Sequence, residues 1–91
     1  MLDAAVTVAR QRGANRELFL LRFAKLKLLY ALAEYEEARS VAKSLLGIAA
    51  TRQQRGRVHL QLSNIEVKLG NPHQATWECK QALQLLDIPE R

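Results

Sequence analysis

The sequence is poor in the residues that most often carry chemistry. Of 91 residues, one is cysteine and two are histidine. Cys79 has no partner for an intrachain disulfide, which points to a reducing, cytoplasmic compartment. Only Lys80 stands near it as an activating cation, so Cys79 reads as a packing residue. His59 and His73 fall on different predicted helices with no Cys or second ligand at metal spacing. His73 reads as a solvated first-turn residue and His59 as a helix-surface residue. Aromatics are equally scarce, with one Trp, two Tyr and two Phe. That argues against sheets and against a surface that stacks single-stranded bases. No glycine loop suited to phosphate is present. Ser40, Ser44 and Ser63 lack the glycines of a nucleophile elbow. The longest apolar run, Leu28–Ala33, is far shorter than the ~20 residues of a membrane span. Asp3 interrupts the start and no apolar core of signal length follows, so no secretory signal is expected. Neither an enzyme, a cofactor, a metal nor a membrane contact is expected.

What is present is Ala, Leu and charge. The chain is 48% apolar and 25% charged, as in a folded domain. Its length suits one small domain, burying about 60% of the unfolded surface. Fourteen basic residues against nine acidic ones leave a net charge of +5. Such a surface attracts polyanions, or is simply solvated. Arg52, Arg55 and Arg57 crowd one predicted helix start, where the macrodipole gives cations no help. Without interleaved aromatics or a recognised motif, nucleic acid is not an expected partner.

The stretch Leu62–Ala75, LSNIEVKLGNPHQA, is the most informative. Leu62, Ile65 and Leu69 recur at helical spacing. Gly70 stops that helix, because glycine tolerates the left-handed conformation just past a helix end. Asn71 and Gln74 have capping-box spacing, and Pro72 fits a first turn. Ala75, Cys79 and Ala82 then line one face of a second helix. Leu29–Ala38, LYALAEYEEA, is an upstream echo, followed by Ala42 and Leu45. Ala38 and Ala75 lie 37 residues apart, and such a period marks stacked helical hairpins.

These two stretches resemble the tetratricopeptide repeat. Leu62, Ser63, Gly70, Ala75 and Ala82 fall where that pattern places them, as do Tyr35 and Ala38. Glu66 and Pro72 stand in place of aromatics and Lys25 in place of a leucine. The period also exceeds the usual 34 or so residues. The resemblance covers most of residues 16–88. It implies an all-α fold of stacked antiparallel hairpins, a fragment of a right-handed α-solenoid.

About five helices are expected, near 2–12, 16–33, 35–48, 52–69 and 72–87. Gly13-Ala-Asn15 would separate the first two. Residues 1–14 then form the second helix of an incomplete repeat, followed by repeats at 15–50 and 51–91. The second helix is apolar nearly all round, as for one buried on several sides. Thr51 and Gln54 have capping-box spacing, while Gly56 costs its helix about 1 kcal/mol relative to Ala. An array that opens on half a hairpin and lacks a polar end helix suggests a fragment of a longer protein. A complete protein that hides its ends by dimerising fits the same features, and self-association through the terminal helices is expected.

The resemblance also implies a function, since repeats of this family are protein-binding scaffolds. Their concave face comes mostly from the first helix of each hairpin. Here that face would hold Leu20, Phe23, Lys27 and Tyr30, then Arg57, Leu60, Gln61, Asn64 and Lys68, facing a protein or peptide. Lys27 and Asn64 are equivalent one repeat apart. Phe23 replaces a basic residue of the carboxylate clamp in chaperone-binding members. Phe23 and Leu60 serve equally well as helix-packing residues. A second functional reading comes from the junction at Arg12–Arg16 and the long period. These resemble the helical sensor domains of large ATP-dependent transcription activators, where the groove would bind an effector or a regulator protein.

Overall fold

The computed structural model describes residues 2–87, with side chains from Arg16 onward. All regular structure in this range is helical: α1 Leu2–Ala31, α2 Tyr35–Ile48, α3 Arg52–Lys68 and α4 Pro72–Leu85. The three later helices lie within two residues of their expected bounds. The first two expected helices are instead one. Helix α1 runs 30 residues, about 45 Å, straight through Gly13-Ala-Asn15. The count is therefore four, not five. One glycine inside a helix costs only about 1 kcal/mol, and Gly13 has no positive φ to turn the chain. Asn15, expected at the break, therefore lies inside α1. The side chains of residues 1–15, with the Ala5 and Ala9 stripe, and residues 88–91 altogether, with the stop at Pro89, fall outside the described part.

Each helix packs on its neighbours in the chain. The partners show antiparallel runs. Arg39 near the start of α2 meets Glu66 near the end of α3. Arg52 at the start of α3 donates to the Gln84 carbonyl at the end of α4 (3.1 Å). Three helices build the core: Phe19, Leu26 and Leu29 from α1, Ala38, Ala42 and Leu45 from α2, and Val58, Leu62 and Ile65 from α3. Helix α3 is buried on two sides, because it packs against both α2 and α4. This explains why its sequence shows no simple amphipathic stripe.

Small residues set how closely α3 and α4 approach. Ala75 and Ala82 are buried, and Ser63 Oγ donates to the Ala75 carbonyl (2.8 Å). At the far end, a Cβ on Gly56 would stand 2.6 Å from Leu86 Cγ and 3.3 Å from Leu85 Cβ. Gly56 thus costs helix propensity but makes room for the end of α4. Ala38, expected at the equivalent approach of α1 and α2, is fully buried.

The hairpin turns share one design. After α1, Glu34 N–H bonds to Leu29 O (2.9 Å) and Ala33 N–H to Tyr30 O (3.1 Å). After α3, Asn71 N–H bonds to Glu66 O (2.8 Å) and Gly70 N–H to Val67 O (3.1 Å). Both are Schellman closures with a left-handed residue at the same place. That residue is Gly70 (φ 81°) in one turn and Ala33 (φ 62°) in the other. Alanine pays a steric penalty of about 1–2 kcal/mol in this conformation. Glycine loses somewhat more entropy on folding, which offsets part of that relief. Ala33→Gly should therefore raise stability by about 0.5–1 kcal/mol in urea denaturation. A lower midpoint would show that Ala33 is unstrained.

Candidate functional site

The exposed surface of α3 follows from its packing. Val58, Leu62 and Ile65 turn into the core and Gly56, Ser63 and Ala75 close the contact with α4. Beyond the exposed first turn of α3, what remains in water is one side of the helix, with Val67 (61% exposed) at its edge. Arg57, Leu60, Asn64 and Lys68 are exposed along it, with Gln61 half-buried at its edge. Helix α1 carries a matching stripe. Leu20 and Lys27 are exposed, and Phe23 and Tyr30 are half-buried. Leu60 at 42% and Leu20 at 56% exposure are apolar groups left in water beside cations.

The aromatics of this stripe are already engaged. The Phe23 ring stacks on Phe19 with centroids 5.8 Å apart, and Lys27 Nζ lies 5.4 Å from its centroid. Tyr30 meets the edge of Tyr35 at 5.5 Å. Phe23 and Tyr30 therefore brace the α1–α2 hairpin as well as bordering the face.

Two open clefts lie nearby. One, of about 830 Å³, is bounded by Arg16 of α1, by Ile48, Ala50 and Thr51 at the α2–α3 connection, and by Gln53 and Arg57 of α3. Arg57 is the one expected groove residue that lines it. The other, of about 650 Å³, lies between α2 and α4. None of Phe23, Lys27, Tyr30, Leu60, Gln61, Asn64 or Lys68 borders either cleft. The expected set is thus two exposed stripes and not an enclosed pocket.

The second cleft contains a polar network that the residue spacing did not announce. Glu66 is only 3% exposed. Its Oε1 accepts from Arg39 Nη1 (3.2 Å) and its Oε2 from Asn71 Nδ2 (2.9 Å). One buried carboxylate therefore ties α2, α3 and the α3–α4 turn together. Asn71 consequently makes no side-chain cap for α4, contrary to its spacing with Gln74. Gln74 Nε2 donates instead to Glu78 Oε1 (3.1 Å). The other oxygen of Glu78 accepts from His59 Nδ1 at 2.5 Å. The Trp77 ring covers His59 edge-on, with centroids 6.0 Å apart. His59 is thus a buried-side pairing residue, not a surface one. Glu78 lies between Ala75 and Ala82 on the face that meets α3, and a carboxylate there requires a partner. That position was the available signal. By contrast, the Thr51–Gln54 capping box forms as its spacing predicts.

Among the described residues, every buried side-chain polar atom has a partner, and no group of His, Cys, Asp and Glu is arranged to hold a metal. Glu66 and Glu78 each have both oxygens occupied, so they hold helices together and are not free to act on a ligand. Among the described residues, no helix is long and apolar enough to cross a membrane. Comparison with known proteins adds no relative: no family model, no curated protein and no solved structure matches the chain.

The network has a measurable consequence. Replacing Glu66 with Ala removes two charge-assisted hydrogen bonds, and Arg39 is partly solvated. The expected loss is about 1–3 kcal/mol in chemical denaturation, with Glu66→Gln milder because it still accepts from Asn71. Equal stability of all three proteins would show that the carboxylate does not tie the hairpins together.

Proposed function

We propose that this chain is a tetratricopeptide-like repeat module that binds a protein or peptide segment along the α1 and α3 stripes. It acts by binding and not by catalysis. The observation that carries this is the α3 surface. Although α3 packs on both α2 and α4, it leaves Arg57, Leu60, Asn64 and Lys68 exposed in one row. Mixed cations, an amide and a leucine can grip both the carboxylates and the apolar side chains of an extended chain. The repeat reading is supported by equivalences 37 residues apart. Ala33 and Gly70 occupy the same left-handed turn position, and Ala38 and Ala75 the same buried approach.

The test is selection of peptides from a displayed library on the wild-type protein, followed by titration of the Lys27→Ala, Asn64→Ala double variant. Loss of these groups should weaken the selected peptide about tenfold or more, at an unchanged melting temperature. Unchanged affinity would place the binding surface elsewhere. A collapsed melting temperature would make these side chains structural. The alternative, an effector-binding domain of a transcription regulator, calls for a pocket that encloses a small molecule. Both clefts here are open to solvent, which favours the first reading.

Self-association belongs to the same proposal. Leu21 and Leu28 of α1, and Leu32 just past its end, are each more than half exposed. Their equivalents 37 residues on are Val58, Ile65 and Leu69, which pack into the core. These leucines therefore form a surface of the kind that α3 buries. Exposed apolar patches of this sort drive association. Sedimentation should show mass rising with concentration, and Leu21→Glu with Leu28→Glu should abolish the rise. A strictly monomeric wild type would refute it.

A further inference from the structure

The cleft at the α2–α3 connection is rich in donors and poor in acceptors. It holds guanidinium groups from two helices, Arg16 and Arg57, and no carboxylate lines it. Neither arginine has an ion-pair partner among the described residues. The side-chain oxygen of Gln54 on its wall is already taken by the backbone N–H groups of Ala50 (2.7 Å) and Thr51 (3.3 Å). The lining is otherwise Arg16, Arg57, Gln53 and Thr51, whose hydroxyl oxygen accepts from Gln54 N–H (3.1 Å), beside the apolar Ile48 and Ala50. Two cations facing one concavity repel each other, and an oxyanion between them removes that cost. The planar fork of arginine matches a carboxylate in particular.

The cleft also lies at one end of the two stripes. On α1, Arg16 and Lys27 are eleven residues apart, just over three turns, and so share a face. Arg57 and Lys68 have the same separation on α3. Each stripe therefore has a cation at both ends, about 16 Å apart, with Leu20 and Phe23 or Leu60 and Asn64 between. An extended chain covers that distance in about five residues. We propose that the Arg16–Arg57 cleft anchors a carboxylate of the bound segment, and that the ligand is an extended peptide with acidic groups about five residues apart flanking apolar side chains. This rests on the peptide-binding reading above. A nucleic acid is the weaker fit: Phe23 and Tyr30 are occupied by Phe19, Lys27 and Tyr35 and offer no free platform for a base.

Fluorescence anisotropy with three labelled probes tests this. They are a short synthetic peptide with glutamates at both ends and leucines between, the same peptide with glutamines for glutamates, and a short single-stranded DNA. Wild-type protein should bind the glutamate peptide about tenfold tighter than the glutamine peptide, with the gap closing as salt rises. The Arg16→Ala, Arg57→Ala variant should bind the glutamate peptide weakly and lose most of that preference, keeping only the share that Lys27 and Lys68 supply at the other end. A Lys80→Ala variant, altered at an exposed site on α4, should behave as wild type. Both arginines are exposed, so circular dichroism should show the variant folded. If wild type and the arginine variant bind both peptides alike, the peptide face stands and the anchoring cleft is overturned. If neither peptide binds at about 1 mM, the peptide-face reading fails with it. DNA binding that depends on the two arginines, without peptide binding, would overturn the acidic-peptide assignment.

Discussion

The close approach of α3 to α4 is the constraint on which the rest depends. A helix flanked on two sides has little surface left for anything else. Gly56, Ser63, Ala75 and Ala82 let α4 lie tight against α3, while Val58, Leu62 and Ile65 fill the other side. Only one narrow face of α3 then remains for solvent. The position of Arg57, Leu60, Asn64 and Lys68 on that face follows from packing on the other two. Side chains larger than these along the α4 contact would force the helices apart and require the stripe to turn. Gly56 shows how the two demands are reconciled. Its loss of helix propensity is small, whereas the room it leaves lets Leu85 and Leu86 close the far end of the contact.

Two buried carboxylates complete this packing, and each has its oxygens satisfied differently. Glu66 has a full cation and an amide, on two separate elements, and so fixes the relative placement of α2 and the α3–α4 turn. Glu78 has an imidazole and an amide, both within the α3–α4 hairpin, and so closes that hairpin alone. Burying a carboxylate without such partners is costly, and with them the net gain is modest. Their contribution is therefore geometric. Apolar side chains at the same places would tolerate sliding of one helix along another, while a carboxylate with both oxygens engaged accepts one register only.

The legible parts of the fold were those fixed by local chemistry. Thr51 and Gln54 announce a helix start because both capping bonds, Gln54 N–H to Thr51 Oγ1 and Thr51 N–H to Gln54 Oε1, lie within four residues. Ala38 and Ala75 announce close approach because only small residues fit there. Helix α4 starts at Pro72 as the spacing predicts, but the side-chain cap does not form, because Asn71 has two acceptable uses and Glu66, five residues earlier, supplies the stronger partner. The first break was misread because Gly13 marks a turn only when something opposes the helix, and helix formers on both sides favour continuation. Ala33 gave no stop signal at all, although it ends α1 in the conformation glycine prefers. Of the candidate site, the stripe on α3 follows from helical spacing. The cleft beside it was not legible, since it joins Arg16 to Arg57 across the turn between two hairpins.

The difference between α1 and α3 shows why composition on the two helices diverges. Positions related by 37 residues meet different surroundings. Lys25 and Leu28 are exposed where Leu62 and Ile65 are buried, because α3 has α2 against that side and α1 has no described helix there. A lysine replacing leucine is affordable at position 25 and would not be at 62, where its charge would enter the core. The leucines at 21, 28 and 32 have no such excuse: water gains nothing from them. In the association proposed above, these leucines would need apolar side chains opposite them and Lys25 an acidic one. If copies of the chain associate as proposed, symmetric packing about Lys25 would oppose like charges, whereas a contact in which α1 meets a different face of its neighbour would not.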